Sequence, residues 1–179
     1  MTKRIAIIGS GHIARDLYRK IDNDVMLGLY LVSGRNPSSP GMNEAANYSQ
    51  NISAEGIKGV LDYKSNIDVA IDCTSAESHY IHSKLLKEAG IPVIDLTPSG
   101  IGCKVIPTVN ISDCKGSMNI NLVSCGGQSS IPILYQWYRE LKKRKIHLRY
   151  VEIASTISTK SAGMATRRNI DSYIKNLIL

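Results

Sequence analysis

The chain has 179 residues, 43% hydrophobic and 21% charged, which is the make-up of an ordinary globular protein with room for one good-sized domain, or one domain and part of another. No apolar run nears ~18 residues, which excludes a membrane span, and Lys3-Arg4 leads straight into a short apolar run ending at Gly9, too short for a signal peptide; a cytoplasmic location follows by default. The net charge of +7 is compatible with a nucleic-acid partner, but much of the excess lies in one run from Arg139 to Arg149 without interleaved aromatics, so a solvated helix end is the simpler reading and no nucleic acid is expected.

Ile5 to Ile8 is a short, fully apolar run of the kind buried inside a parallel sheet. Gly9-Ser10-Gly11 breaks it, and His12 to Ile21 has helical spacing at Ile13, Leu17 and Ile21. Met26 to Val32 reads as a second strand, Ser38 to Ser53 as loop with a short helix, and Ile67 to Cys73 as a third strand. Ser78 to Ala89 reads as a helix ended by Gly90, and Ile91 to Leu96 as the next strand. Strand, helix and strand alternate at βαβ spacing, which predicts a parallel sheet covered by helices on both faces.

Asn119 to Val123 is a further short strand. A helix is predicted from about Ser130 to Lys143, with Pro132 in its first turn. Leu148 to Ser158 alternates like a longer strand, Ser161-Ala162-Gly163 is a loop, and Thr166 to Leu179 a terminal helix. The change of register near Cys125 divides residues 1–124 from residues 125–179.

The four cysteines, Cys73, Cys103, Cys114 and Cys125, show no C-x-x-C spacing, and His79 and His82 have no Cys or carboxylate cluster to complete a ligand set, so no metal is expected. A cytosolic setting likewise predicts no disulfide framework. Cys125 stands apart because it lies between a strand end and a helix start, where free N–H groups and the helix dipole favour the thiolate. Taken alone, a cysteine among apolar neighbours reads as a small buried hydrophobe; the front of the chain tips the balance.

There, Gly9-Ser10-Gly11-His12-Ile13-Ala14 forms a G-x-G-x-x-A turn between the first strand and helix. Its first glycine permits the tight turn, its second lets a pyrophosphate approach the backbone, and the small third residue allows close helix–strand packing. The second strand lacks the usual acidic residue at its end, which reads Ser33-Gly34-Arg35-Asn36-Pro37. Arg35 is either a solvated loop cation or a partner for a 2′-phosphate, leaving NAD and NADP both open.

Ile5 to Ala14, Asp95-Leu96-Thr97-Pro98, Val109-Asn110, Asn119 to Pro132 and Ser158 to Asp171 together resemble the acylating acetaldehyde dehydrogenases of aromatic meta-cleavage pathways. The resemblance implies a Rossmann-type doubly wound α/β domain over residues 1–124, followed over 125–179 by the incomplete start of an α+β catalytic and dimerisation domain. It implies an oxidoreductase that converts a short aldehyde, coenzyme A and NAD to acyl-CoA and NADH through a thioester on Cys125. Ser10, Gly11, His12 and Ile13 match the family's first NAD-binding segment. Ser161, Ala162, Gly163, Met164, Ala165, Thr166, Arg167, Arg168 and Asn169 match the second. A homodimer and a 4-hydroxy-2-oxoacid aldolase partner are implied likewise.

The chain departs from the family where Ala14 replaces a glycine, Met164-Ala165 a Pro-Gly pair and Arg168 a smaller residue, and in lacking an Asp near Asn36. Family members are also considerably longer. Three other readings share some features: an inactive nucleotide-binding remnant that docks a partner, a semialdehyde or acyl-phosphate reductase, and a basic nucleic-acid-binding protein. An unpaired strand near Tyr150 would make the chain prone to aggregation.

Overall fold

The computed structural model describes residues 2–154 together with 156 and 167. Its elements run β1 (Lys3–Ile8), α1 (His12–Asp22), β2 (Leu27–Ser33), α2 (Pro40–Ala45), β3 (Asn51–Ser53), α3 (Ile57–Asp62), β4 (Val69–Asp72), α4 (Ala76–Glu88), β5 (Val93–Asp95), β6 (Cys103–Lys104), α5 (Pro107–Asn110), β7 (Asn119–Asn121) and α6 (Cys125–Lys143). All described strand pairs are parallel, in the order β3-β2-β1-β4-β5-β7-β6.

Two cores lie on opposite faces of β1 because its side chains alternate. Ile5 and Ile7 point to one face, where Ala14, Tyr18 and Ile21 of α1 and Met42 and Ala45 of α2 cover them. Ala6 and Ile8 point to the other, against Val60 of α3 and Leu86 of α4. Burial on both faces is why this strand is apolar without interruption from Ile5 to Ile8. Strand order reverses between β1, whose crossover leads to β2, and β4, which opens a crevice at the carboxyl ends of these two strands.

α3 closes the crossover from β3 to β4, a segment without legible periodicity. It has only six residues, and Gly59 stands within it because a Cβ there would lie 2.1 Å from the Ser53 hydroxyl oxygen.

Several expectations are corrected. α6 begins at Cys125, not near Ser130, because Ser124 caps it by accepting the Gly127 N–H at 3.1 Å. Pro132 consequently sits inside the helix and not in its first turn. Residues 148–154 form no strand; they have no described neighbour with which to pair, and Tyr150 and Ile153 are exposed. Cys103 and Cys114 form a disulfide, contrary to the expectation from compartment. β6 and the 3₁₀ turn Ile111–Cys114 bring their Cα atoms to 5.7 Å, inside the span a disulfide bridges. The loop expected at 161–163 and the terminal helix from 166 lie outside the described residues, apart from Arg167, which is helical and exposed.

Candidate active site

The glycine-rich turn stands where β1 and β4 diverge. Gly9 has φ +108°, in the region that only glycine enters without cost, and a Cβ there would lie 3.1 Å from the Cys73 carbonyl oxygen. Its N–H donates to the Ser33 carbonyl at 2.8 Å, fastening the turn to the end of β2. Gly11 is the N-cap of α1, and no side chain occupies the free N–H groups of the helix. His12 and Ile13 are exposed beside it. Ser10 turns its hydroxyl to that of Ser39 at 3.0 Å.

This turn fits a dinucleotide pyrophosphate: a Cβ at Gly11 would meet nothing within 4 Å, so the space over the uncapped helix end is open. α2 braces the turn from behind, since a Cβ on Gly41 would fall 1.9 Å from the Ser10 carbonyl oxygen.

A second feature was not anticipated. β4, β5 and β7 end in register on Asp72, Asp95 and Asn121. Each side chain accepts the N–H of the residue two positions on: Thr74 to Asp72 at 3.0 Å, Thr97 to Asp95 at 2.7 Å, and Val123 to Asn121 at 2.9 Å. Three neighbouring strands thus leave the sheet through the same side-chain-to-backbone turn. The sequence signal was present as Asp-x-Thr, repeated in Asp72-Cys73-Thr74 and Asp95-Leu96-Thr97.

The row is buried and cross-linked. Asn121 Nδ2 donates to Asp95 Oδ2 at 2.7 Å and to the Thr97 carbonyl at 2.9 Å, and Ser99 donates its hydroxyl to Asp95 Oδ2 at 2.6 Å. From α4, His79 Nδ1 and His82 Nδ1 both lie 2.8 Å from Asp72 Oδ2, and His79 Nε2 lies 3.3 Å from Asp95 Oδ2. Burial opposes ionisation of Asp72, but the hydrogen bonds from His79, His82 and Thr74 and the charge of His82 outweigh it, holding the carboxyl well below the usual carboxylate range. Cys73 goes the other way: burial, then the charges of Asp72 and Asp95, push its thiol well up. The histidines noted only for their three-residue spacing are therefore part of a carboxylate network. Among the described residues, no group of three His, Cys, Asp or Glu side chains is arranged to hold a metal ion.

The third strand of this row leads to the cysteine. Val123 has φ +59°, a left-handed conformation that costs a β-branched residue roughly 1–2 kcal/mol. The bend this creates turns the chain from β7 directly into α6, whose first residue is Cys125. The thiol is free and exposed. Gln128 fixes the first turn of the helix by donating from Nε2 to the carbonyls of Val105 and Leu122, both at 2.8 Å. Cys125 and the glycine turn share the carboxyl edge of the sheet, three strand spacings apart, about 14 Å. Beyond its first turns α6 is uncovered: none of its side chains is buried, and Ile133 and Trp137 are 73% and 58% exposed.

Of the second proposed cofactor segment, Ser161, Ala162, Gly163, Met164, Ala165, Thr166, Arg168 and Asn169 lie outside the described residues. No described helix is long and apolar enough to cross a membrane.

Switch-point crevice, uncapped α1 and doubly covered parallel sheet define an α/β fold of the Rossmann type. Solved structures agree on that fold. Aspartate semialdehyde dehydrogenase with NADP from Candida albicans aligns with TM-score 0.61 at 13% identity, over 79% of this chain and 48% of that one. Scyllo-inositol dehydrogenase from Lactobacillus casei, with bound NAD(H) and scyllo-inositol, aligns with TM-score 0.56 at 14% identity, over 80% and 42%.

Sequence relationship is narrower: the chain is related to the acetaldehyde dehydrogenases over nearly its whole length. It is 42% identical over 171 residues to acetaldehyde dehydrogenase of Geobacillus stearothermophilus, covering 95% of this chain and 56% of the relative. The enzyme of Streptomyces griseus is 43% identical over 173 residues, covering 97% and 54%. A family model described as prokaryotic acetaldehyde dehydrogenase, dimerisation, matches residues 125–177. The chain spans about half the length of these curated relatives.

Proposed function

We propose that this chain carries the nucleotide site and the nucleophile of an aldehyde-oxidising enzyme that makes acyl-CoA from a short aldehyde, coenzyme A and a nicotinamide dinucleotide. The observation carrying this reading is the exposed Cys125 at the first position of α6, on the same sheet edge as the uncapped end of α1.

Cys125 Sγ attacks the aldehyde carbonyl and forms a hemithioacetal. Its oxyanion lies within reach of first-turn N–H groups of α6, which have no intrahelical acceptor; Ser124 takes only that of Gly127. A nicotinamide dinucleotide bound at this site would supply the hydride acceptor for the carbonyl carbon, and Cys125 would then carry the oxidised acyl group as a thioester. The coenzyme A thiol then displaces Cys125 Sγ and carries away the acyl group, conserving the oxidation energy. Ser10, Gly11, His12 and Ile13 hold the pyrophosphate end of the dinucleotide, and Ser161 to Asn169, including Arg167, are the second cofactor-binding segment in this reading. Residues 1–124 form the nucleotide domain, and residues 125–179 begin the catalytic and dimerisation domain.

The uncovered Trp137 and Ile133 of α6, together with the match to a dimerisation family, support assembly as a homodimer through this second part. An aldolase that supplies the aldehyde is the further partner this reading implies. The same uncovered helix favours one second reading, a chain that binds dinucleotide without turnover. Aldehyde- and CoA-dependent reduction of NAD and of NADP by wild type and Cys125→Ala decides between them. Turnover lost in the variant supports the enzyme; NADH or NADPH binding with no turnover in either protein supports the second reading; equal turnover in both removes Cys125 from the mechanism.

A further inference from the structure

We propose that the adenosine end of this nucleotide site takes a 2′-phosphate, with Arg35 as the residue that selects NADP(H) over NAD(H). The inference rests on the dinucleotide reading above and specifies its ligand.

A site for an unmodified ribose needs an acceptor at the end of β2, normally a carboxylate that takes the 2′-hydroxyl proton. Here β2 ends on Ser33, which is fully buried and donates its hydroxyl inward to the Gly56 carbonyl at 2.6 Å. The next polar side chain with an acceptor, Asn36, already accepts the Ser38 N–H on its Oδ1 at 3.0 Å. Of the flanking carboxylates, Glu44 is engaged by Arg15 and Arg19, whereas Glu55 is exposed, only weakly paired with Lys58 at 4.0 Å, and stands in the loop before α3. The strand end itself, residues 33–37, offers no carboxylate to a ribose.

It has a cation instead. Arg35 is exposed and has no ion-pair partner among the described residues. Its place is fixed by the backbone on both sides. Gly34 donates its N–H to the Ser53 carbonyl at 3.0 Å and accepts that of Gly56 at 2.9 Å, which clamps the end of β2 to the loop before α3. Gly56 itself has φ +57°, and a Cβ on it would lie 3.3 Å from Arg35 Cγ, so a bare backbone supports the arginine stem.

On the other side, a Cβ at Gly34 would lie 3.3 Å from the Ser10 hydroxyl oxygen, so Arg35 follows directly on the residue packed against the glycine-rich turn. A planar guanidinium at this position suits a phosphate dianion, which it can engage through two parallel N–H bonds. It offers nothing to accept a proton from a free 2′-hydroxyl.

The test uses the full chain and isothermal titration with 2′,5′-ADP and ADP, followed by NADPH and NADH. Lys142→Ala, which removes one exposed cation from α6, controls for general attraction to a protein of charge +7. The expected result is 2′,5′-ADP bound about tenfold or more tighter than ADP, and NADPH tighter than NADH. Arg35→Ala should weaken 2′,5′-ADP and NADPH about 10- to 100-fold while leaving ADP and NADH nearly unchanged, and Lys142→Ala should leave all four nearly unchanged. Asn36→Asp, which restores a carboxylate near the ribose, should reverse the order of the two dinucleotides. Equal binding of 2′,5′-ADP and ADP, NADH favoured by wild type, or an unchanged preference in Arg35→Ala overturns the assignment but leaves the dinucleotide reading standing. Absence of binding by all four compounds overturns both.

Discussion

Asp95 and Asn121 sit side by side in register at the ends of β5 and β7, joined by a hydrogen bond of 2.7 Å from amide to carboxylate. Through Asn121 Oδ1 and the Val123 N–H, the same amide holds the bend that presents Cys125. The Asp95–Thr97 turn and the cysteine turn are therefore one hydrogen-bonded unit, although 26 residues separate their anchors.

Asn121→Ala removes three hydrogen bonds at once, two of them fully buried, and strands the Val123 N–H and an Asp95 lone pair. A loss of about 3 kcal/mol is expected in urea unfolding. Asn121→Asp keeps the shape but sets a second carboxylate beside Asp95, and at pH 7 it should be at least as destabilising. A loss under about 0.5 kcal/mol in both variants would show that the unit does not hold the turn.

The glycines of the nucleotide turn separate folding from binding. Gly11→Ala adds a methyl where nothing lies within 4 Å, so its stability should stay within about 0.5 kcal/mol of wild type while dinucleotide affinity falls. Gly41→Ala drives a methyl into the Ser10 carbonyl and should cost about 1–3 kcal/mol or more. Paired melting curves and dinucleotide titrations read the contrast directly. Equal effects of the two variants on melting would refute it.

Asp72 gives the fold an acid limit. Its carboxyl titrates in the folded chain below its ordinary value of 3.8, so its contribution is nearly complete above about pH 5. That contribution is lost as pH falls further, because the unfolded chain takes up the proton first. Asp68, lowered to about 2 by hydrogen bonds from Arg4, acts in the same direction. Asp72→Asn should flatten the fall in stability below pH 4 and, by weakening the hydrogen bonds to His79, His82 and Thr74, cost about 1–3 kcal/mol at neutral pH. Urea midpoints from pH 2 to 7 for both proteins check the slope.

Thiol chemistry should sort the cysteines by environment. Cys125 is exposed, the Cys73 thiol is pushed up by burial and flanking carboxylates, and Cys103 and Cys114 are joined. A disulfide-reactive dye at pH 7 should label one thiol rapidly in the unreduced protein and none in Cys125→Ser. Prior reduction should then expose two further thiols. Rapid labelling of three thiols in the unreduced protein would mean that Cys103 and Cys114 are not bonded.

The elements of the nucleotide half were legible because each carries its own period and punctuation. β1 is an apolar run closed by Gly9, and α4 ends just before Gly90. The start of α6 was misread because Pro132 resembles a first-turn proline, whereas Ser124 sets the boundary. Leu148 to Ser158 has strand-like alternation, but alternation describes only a surface and cannot supply the neighbour a strand needs. Glycine turn and cysteine were visible as local patterns. The network of Asp72, His79, Asp95 and Asn121 was not, because its bonds join β4, α4, β5 and β7 across distant stretches of sequence. Its only local trace was the repeated Asp-x-Thr.

α6 is a rod of 19 residues, about 28 Å long, clamped by Ser124 and Gln128 at the end that bears the thiol. Pro132 has no N–H to offer the Gln128 carbonyl, so bending stiffness is lowest where the clamped turn meets the outboard length. Any tilt of the outboard length that carries Trp137 would be taken up first at that joint, two turns from the sulfur, leaving the clamped end in place.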